Sequence, residues 1–260
     1  MTDDRIHTLQ GVLNFRDFGG YAAQQGGHVV RGQLFRTASF AEASERDLAW
    51  LDRLGARFVV DLRRPEERAD NPNRWPGEGN LPVHTNDEGY KEIPAHLAVL
   101  TETDLTASSV RAYMFTAYRA YPYEPRYVEL FRTFLHGLAL QGGPAIVHCA
   151  AGKDRTGVIC ALTLTALGVP HATIVDDYEL TNTAVDYMAR LPAIKERMEA
   201  RIGKPIDAEA LRPMLGVHRD YLAAAFEAIG EKHPDVPTYM AEVLGVDGAM
   251  VKELRARFVT

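Results

Sequence analysis

Two apolar runs, divided by a short polar segment, dominate the pattern of the chain. Ala145-Ile146-Val147 reads as a buried strand, and the ten residues from Val158 to Leu167 read as a buried helix. Elsewhere the period changes. Over residues 44–55, Leu48, Leu51 and Leu54 recur at helical spacing, with Ser44 available as N-cap and Gly55 at the stop, so a helix is predicted there. Residues 57–62 predict a buried strand, residues 81–85 another, and residues 12–15 and 33–36 short strands punctuated by Gly19-Gly20 and Gly26-Gly27. Residues 86–124 hold no sustained period and are predicted as irregular, with tyrosines at 113, 118, 121 and 123. Residues 124–140 are amphipathic at helical spacing. From 170 to 260 the pattern is almost continuously helical, with breaks predicted at Pro192, Gly203, Pro213, Gly230 and Gly245.

Strands alternating with helices predict an α/β architecture, a central mostly parallel sheet flanked by helices, with additional helices toward the C-terminus. Ligands of such sheets sit at the carboxyl ends of the strands. The 260 residues, 46% hydrophobic, suit one domain over 1–260, in which 170–215 is expected as helical cover over the site. A net charge of −6 argues against a nucleic-acid partner, which would need a basic face. Two cysteines are no disulfide framework, and the N-terminus has no apolar signal core, so a cytoplasmic location is expected, with signal-free export left open. No run approaches the length of a membrane span, and stable membrane insertion is not expected.

The polar segment carries the chemistry. In His148-Cys149-Ala150-Ala151-Gly152-Lys153-Asp154-Arg155-Thr156, a tight loop joins a strand to a helix N-terminus. Backbone N–H groups and the helix dipole converge there on an anion. Ala150 through Thr156 therefore form a candidate phosphate cradle. The same field favours thiolate over thiol, so Cys149 is expected as a nucleophile at neutral pH. Arg155 can clamp two phosphate oxygens with its planar fork, Gly152 permits a backbone that a Cβ would resist, and the Thr156 hydroxyl is expected to hydrogen-bond the sulfur. Paired metal-ligand spacings and dinucleotide or Walker motifs are absent, so neither a metal nor a cofactor is expected.

This loop resembles the Cys-x5-Arg signature of the cysteine-dependent tyrosine phosphatases. The likeness extends to Asn14-Phe15-Arg16-Asp17, to Leu34-Phe35-Arg36-Thr37, to Asp61-Leu62-Arg63 and to residues 216–226. Together these resemble the bacterial branch that includes the mycobacterial secreted tyrosine phosphatase B. The resemblance implies the cysteine-phosphatase fold and a phosphorylated protein, foremost on tyrosine, or a phosphoinositide as substrate. It also implies an acid loop after the strand at 81–85, which makes Asp87 a candidate proton donor. Asp154 is the competing candidate, or else it orients Arg155 or Lys153. Lys153 either adds an ammonium beside the phosphate, as in lipid-directed members of the superfamily, or simply pairs with Asp154.

Other residues take quieter expectations. Asp61 and Arg63 are expected as a structural salt bridge, Asp176 and Asp177 as a solvated helix face or cap, and His148 as a brace for the loop. Cys160 is expected in the core, with a resolving-thiol role as its alternative. A phosphatase-like module that binds without turnover, or a rhodanese-type sulfurtransferase, are the competing functions. The first would typically lack Cys149 or Arg155, and the second would not need Arg155 followed by Thr156.

Overall fold

Four short strands carry β-branched or aromatic residues between turn signals, and a fifth, of Arg and Asp, pairs at the sheet edge. In the computed structural model, which describes residues 3–76, 81–88 and 105–260, they are β1 (Arg16–Asp17), β2 (Leu34–Thr37), β3 (Phe58–Asp61), β4 (Val83–His84) and β5 (Ala145–His148). Their order across the sheet is β1-β2-β5-β3-β4. The central β5 pairs in parallel with β2 and β3, and β3 with β4, while β1 runs antiparallel to β2. Alternate residues leave opposite faces of the sheet. Leu34, Phe58, Val60, Ala145 and Val147 join the larger core, whereas Phe35, Val59 and Ile146 join a smaller one with Phe15, Phe40 and Leu51. The predicted architecture, a mostly parallel sheet between helices, is the one observed.

The helices are α1 (Glu45–Leu54), α2 (Pro65–Asp70), α3 (Ala107–Ala120), α4 (Pro125–Gln141), α5 (Asp154–Ala166), α6 (His171–Glu179), α7 (Thr181–Ala184), α8 (Tyr187–Ile202), α9 (Ala208–Leu215), α10 (Arg219–Gly230), α11 (Val236–Glu242) and α12 (Gly248–Phe258). The N-terminus of α1 follows its sequence signals. Ser44 and Asp47 form a reciprocal capping box, and Gly55 closes the helix at φ 62°.

Three expectations are corrected. The strand predicted at 12–15 is displaced to Arg16–Asp17, because Asn14 adopts φ 56° and breaks the extended run. The region read as irregular contains the fourteen-residue α3, whose Val110, Met114, Ala117 and Tyr118 form one buried stripe. Pro192 and Pro213 lie inside α8 and α9 rather than ending them. Each proline removes one backbone hydrogen bond. A small core of Leu191, Met198, Ile206, Leu211 and Met214 holds both helices past the defect. Among the described residues no helix is long and apolar enough to cross a membrane.

Candidate active site

The site begins where β5 ends and α5 has not yet started. In a trans peptide the C=O of one residue and the N–H of the next point in opposite directions. Along this loop the carbonyls are held from outside. Cys149 O accepts from His148 Nδ1 at 3.1 Å, and Ala150 O from the Ser39 N–H at 3.1 Å. Asn14 Nδ2 donates to Ala151 O at 3.4 Å and to Gly152 O at 2.8 Å; Arg36 Nη2 donates to Gly152 O at 3.0 Å and to Lys153 O at 3.4 Å. The five N–H groups from Ala150 to Asp154 are thereby turned to the other side, which is the geometry of an anion nest. Gly152 is required twice over: its φ is +64°, and a Cβ there would lie 2.2 Å from Thr37 O.

Behind the loop sits a buried polar cluster. Arg36 Nη1 meets Asp177 Oδ2 at 3.1 Å, and Tyr21 donates to Asp177 Oδ1 at 3.1 Å. Arg16 donates to Asn14 Oδ1, to the Asp177 carbonyl at 3.0 Å and to Thr181 Oγ1 at 3.0 Å. Asp177 thus corrects the expectation of a solvated face. It shares the buried stripe of α6 with Ile174 and Tyr178, and only its neighbour Asp176 is exposed. A charged residue on an apolar stripe was the available signal. Burial lowers Arg16 to about 10, with Arg36 adding to the shift and Asp177 opposing it.

On the β3 side, Asp61 accepts from Arg63 Nε at 3.0 Å and Nη2 at 2.8 Å, the buried salt bridge that was predicted. Burial would raise Asp61, but His148 and Arg63 hold it below the ordinary carboxylate value. His148 is lowered, chiefly by burial. Neutral, with Nδ1–H on the Cys149 carbonyl and Nε2 3.2 Å from Asn73 Nδ2, it braces the loop as expected.

The open side is different. Arg155 forms a two-pronged pair with Glu67, Nη1 to Oε2 at 2.6 Å and Nη2 to Oε1 at 2.8 Å, and Nη1 also reaches Leu62 O at 3.3 Å. These take three of its five N–H groups. Glu67, placed third in α2 behind Pro65, also caps that helix by accepting from Arg64 N at 2.8 Å. Its signal in the sequence is a Pro-x-Glu helix start just after a buried strand, which by itself assigns no partner across the chain. Asp154 Oδ1 accepts from Tyr118 at 2.8 Å and from Lys153 Nζ at 2.9 Å, and Lys153 also donates to Gly216 O at 3.2 Å. Of the two expectations for Lys153, the pairing with Asp154 is the one observed. Thr156 Oγ1 is buried with no partner, so the expected bond to the sulfur is not formed here.

A cavity of about 280 Å³ opens over the loop. Its base is Ala150, Ala151, Lys153, Asp154 and Arg155, and its walls include Tyr113, Met114, Tyr121, Tyr127 and Met214. Cys149 lies beneath, 1% exposed. Asp87 is absent from the lining: its side chain is 76% exposed and paired with Arg68. Cys160 is core, pushed up to about 12 by burial. Among the described residues no cluster of His, Cys, Asp or Glu could hold a metal.

The loop thus places Cys149 and a run of converging amides at the carboxyl end of the central parallel strand, where ligands of such sheets sit. The model of the tyrosine phosphatase family matches residues 7–260, and the chain belongs to that family. A Cupriavidus necator protein named for tyrosine-protein phosphatase activity is 32% identical over 243 residues, covering 93% of this chain and 85% of that one. The triple specificity protein phosphatase PtpB of Mycobacterium tuberculosis is 30% identical over 277 residues, covering 96% of this chain and 98% of its own. A tyrosine-protein phosphatase of Nostoc commune is 27% identical and covers 85% of this chain and 72% of its own. The protein is a phosphatase.

Proposed function

We propose that the chain hydrolyses phosphomonoesters, phosphotyrosine foremost, without a metal and through a phosphocysteine on Cys149. The observation that carries the reading is the run of outward-held carbonyls from Cys149 to Lys153, which leaves five amides for a phosphate dianion. The Cys149 sulfur attacks phosphorus as the P–O bond to the leaving group breaks, and Asp154, protonated in the substrate complex where the bound phosphate takes over its pairing with Lys153, gives its proton to the departing oxygen. Water then attacks phosphorus, Asp154 takes its proton, and the P–S bond breaks to free inorganic phosphate and the thiolate. Asp154 fits this role better than Asp87, because it lines the cavity and makes its contacts through Oδ1. The two remaining N–H groups of Arg155 would bind equatorial phosphate oxygens, and the unpartnered Thr156 hydroxyl would serve the sulfur.

The phosphotyrosine preference rests on the walls. Tyr113, Tyr121 and Tyr127, with Met114 and Met214, suit an aryl group more than a short aliphatic ester. Lys153 spends its charge on Asp154, which weakens the case for polyphosphorylated lipids. Phosphoserine/threonine and phosphoinositides are the secondary candidates, and the word "triple" in the name of the M. tuberculosis relative supports a range wider than phosphotyrosine alone. The test is p-nitrophenyl phosphate turnover in EDTA. Wild type is expected to turn over undiminished and Cys149→Ser to lose more than about 10³-fold in kcat. Turnover that survives the substitution, or that EDTA abolishes, overturns the mechanism.

A further inference from the structure

The cluster behind the loop is electrically unbalanced. Arg16 and Arg36 are wholly buried, and among the described residues one carboxylate, Asp177, pairs with both. The other acceptors are neutral: the Asn14 oxygen, the Thr181 hydroxyl, and the Gly152, Lys153 and Asp177 carbonyls. Both Nε–H groups are buried without an acceptor. One positive charge is left over in the interior, and an uncompensated buried charge is heavily penalised.

The missing anion can be sought among the groups that face the cluster. Tyr21, Tyr178 and Cys160 surround it, and burial keeps all three protonated, Cys160 up to about 12. Arg5, over the Tyr21 ring at 4.1 Å, is a further cation. Around Cys149 stand Arg155 and Arg36, with Cys160 and Tyr187, which burial also keeps neutral. Asp154 is taken by Lys153. The Cys149 sulfur remains, joined to Arg36 through the loop that Arg36 holds at two carbonyls.

We propose that Arg36 is a second positioning cation of the reaction: it holds the loop from behind, and its surplus charge is balanced by the Cys149 sulfur as an anion and then by the bound phosphoryl group. The proposal rests on the reading of Cys149 as the nucleophile. It assigns Asp177 a restraining part, since the carboxylate cancels only half of the charge of the two arginines.

The test compares wild type with Arg36→Met, Arg36→Lys and Asp177→Asn. It reads iodoacetamide alkylation of Cys149 at pH 6 by mass spectrometry, alongside kcat and KM for p-nitrophenyl phosphate. Arg36→Met is expected to slow alkylation about tenfold, with the rate recovered in alkaline buffer. Arg36→Lys keeps the charge and restores the pH 6 rate, but kcat stays low because one ammonium cannot hold two loop carbonyls and Asp177 together. Asp177→Asn is expected to speed alkylation several-fold; its amide oxygen can still accept from Arg36 and its NH2 can donate to the Tyr21 oxygen. A purely structural brace would slow all three alike, and that result overturns the proposal. Asp177→Asn reacting no faster than wild type overturns it alone, even where Arg36→Met does not fold. A Cys149→Ser enzyme that still turns over would instead sink the mechanism on which the proposal rests.

Discussion

The two sides of the Cys149–Arg155 loop are built on opposite rules. Behind it, Asn14, Arg16, Arg36, Asp177 and His148 are buried and bonded to the protein, and of their buried side-chain polar atoms Nε of Arg16 and of Arg36 alone lack a partner. In front, Arg155, Asp154 and Thr156 keep unused donors and acceptors toward or near a cavity. A closed network gives rigidity, and an open one leaves valence for a guest. Substitutions behind the loop should therefore cost stability and turnover together, whereas those in front should cost turnover alone.

The largest expected effect is at the rear. Gly152→Ala puts a Cβ against the Thr37 backbone at a left-handed φ, and should lose more than about 10²-fold in kcat/KM with a lower Tm. Equal Tm and activity would show that the loop tolerates a different path. Next comes the front. Asp154→Asn is expected to lower kcat by about 10²-fold with Tm near wild type, measured at neutral pH. A fall in Tm of comparable weight would put Asp154 with the braces. A smaller effect concerns His148, which burial holds below its ordinary value of 6.5. The unfolded chain takes up this proton as pH falls through about 6.5 and the folded chain does not, so stability is full above that pH and declines below it. Denaturant unfolding between pH 7.5 and 5.5 should show the slope in wild type, and a flatter one in His148→Gln. Smallest is Asp87→Asn: an exposed carboxylate paired with Arg68 should change kcat by under about threefold. A hundredfold loss there would return the proton donor to the loop after β4.

What the sequence disclosed follows the same division. The helix cap at Ser44, the central strand, the strand-to-helix loop after Cys149 and the Asp61–Arg63 pair are local patterns, and each was legible because neighbours in sequence are neighbours in space. The tertiary contacts were not. Asn14, Arg36 and Asp177 meet the loop or each other over separations of 116 to 141 positions, and no periodicity encodes such a meeting. Asp177 was misread because an Asp-Asp pair looks solvated until its helix face is known. α3 was overlooked because its buried stripe, Val110, Met114, Ala117 and Tyr118, is interrupted by polar and aromatic residues that face the cavity or solvent.

The position of β5 in mid-sheet has a consequence for how activity arises during folding. The groups that brace the loop come from the first fifteen residues, from a flanking strand and from a helix near position 177, so a fragment ending before α6 leaves Arg16 and Arg36 without their carboxylate. Contacts of that sequence separation close late. The enzyme should switch on as the last event of its maturation, and fall silent as the first event of its unravelling.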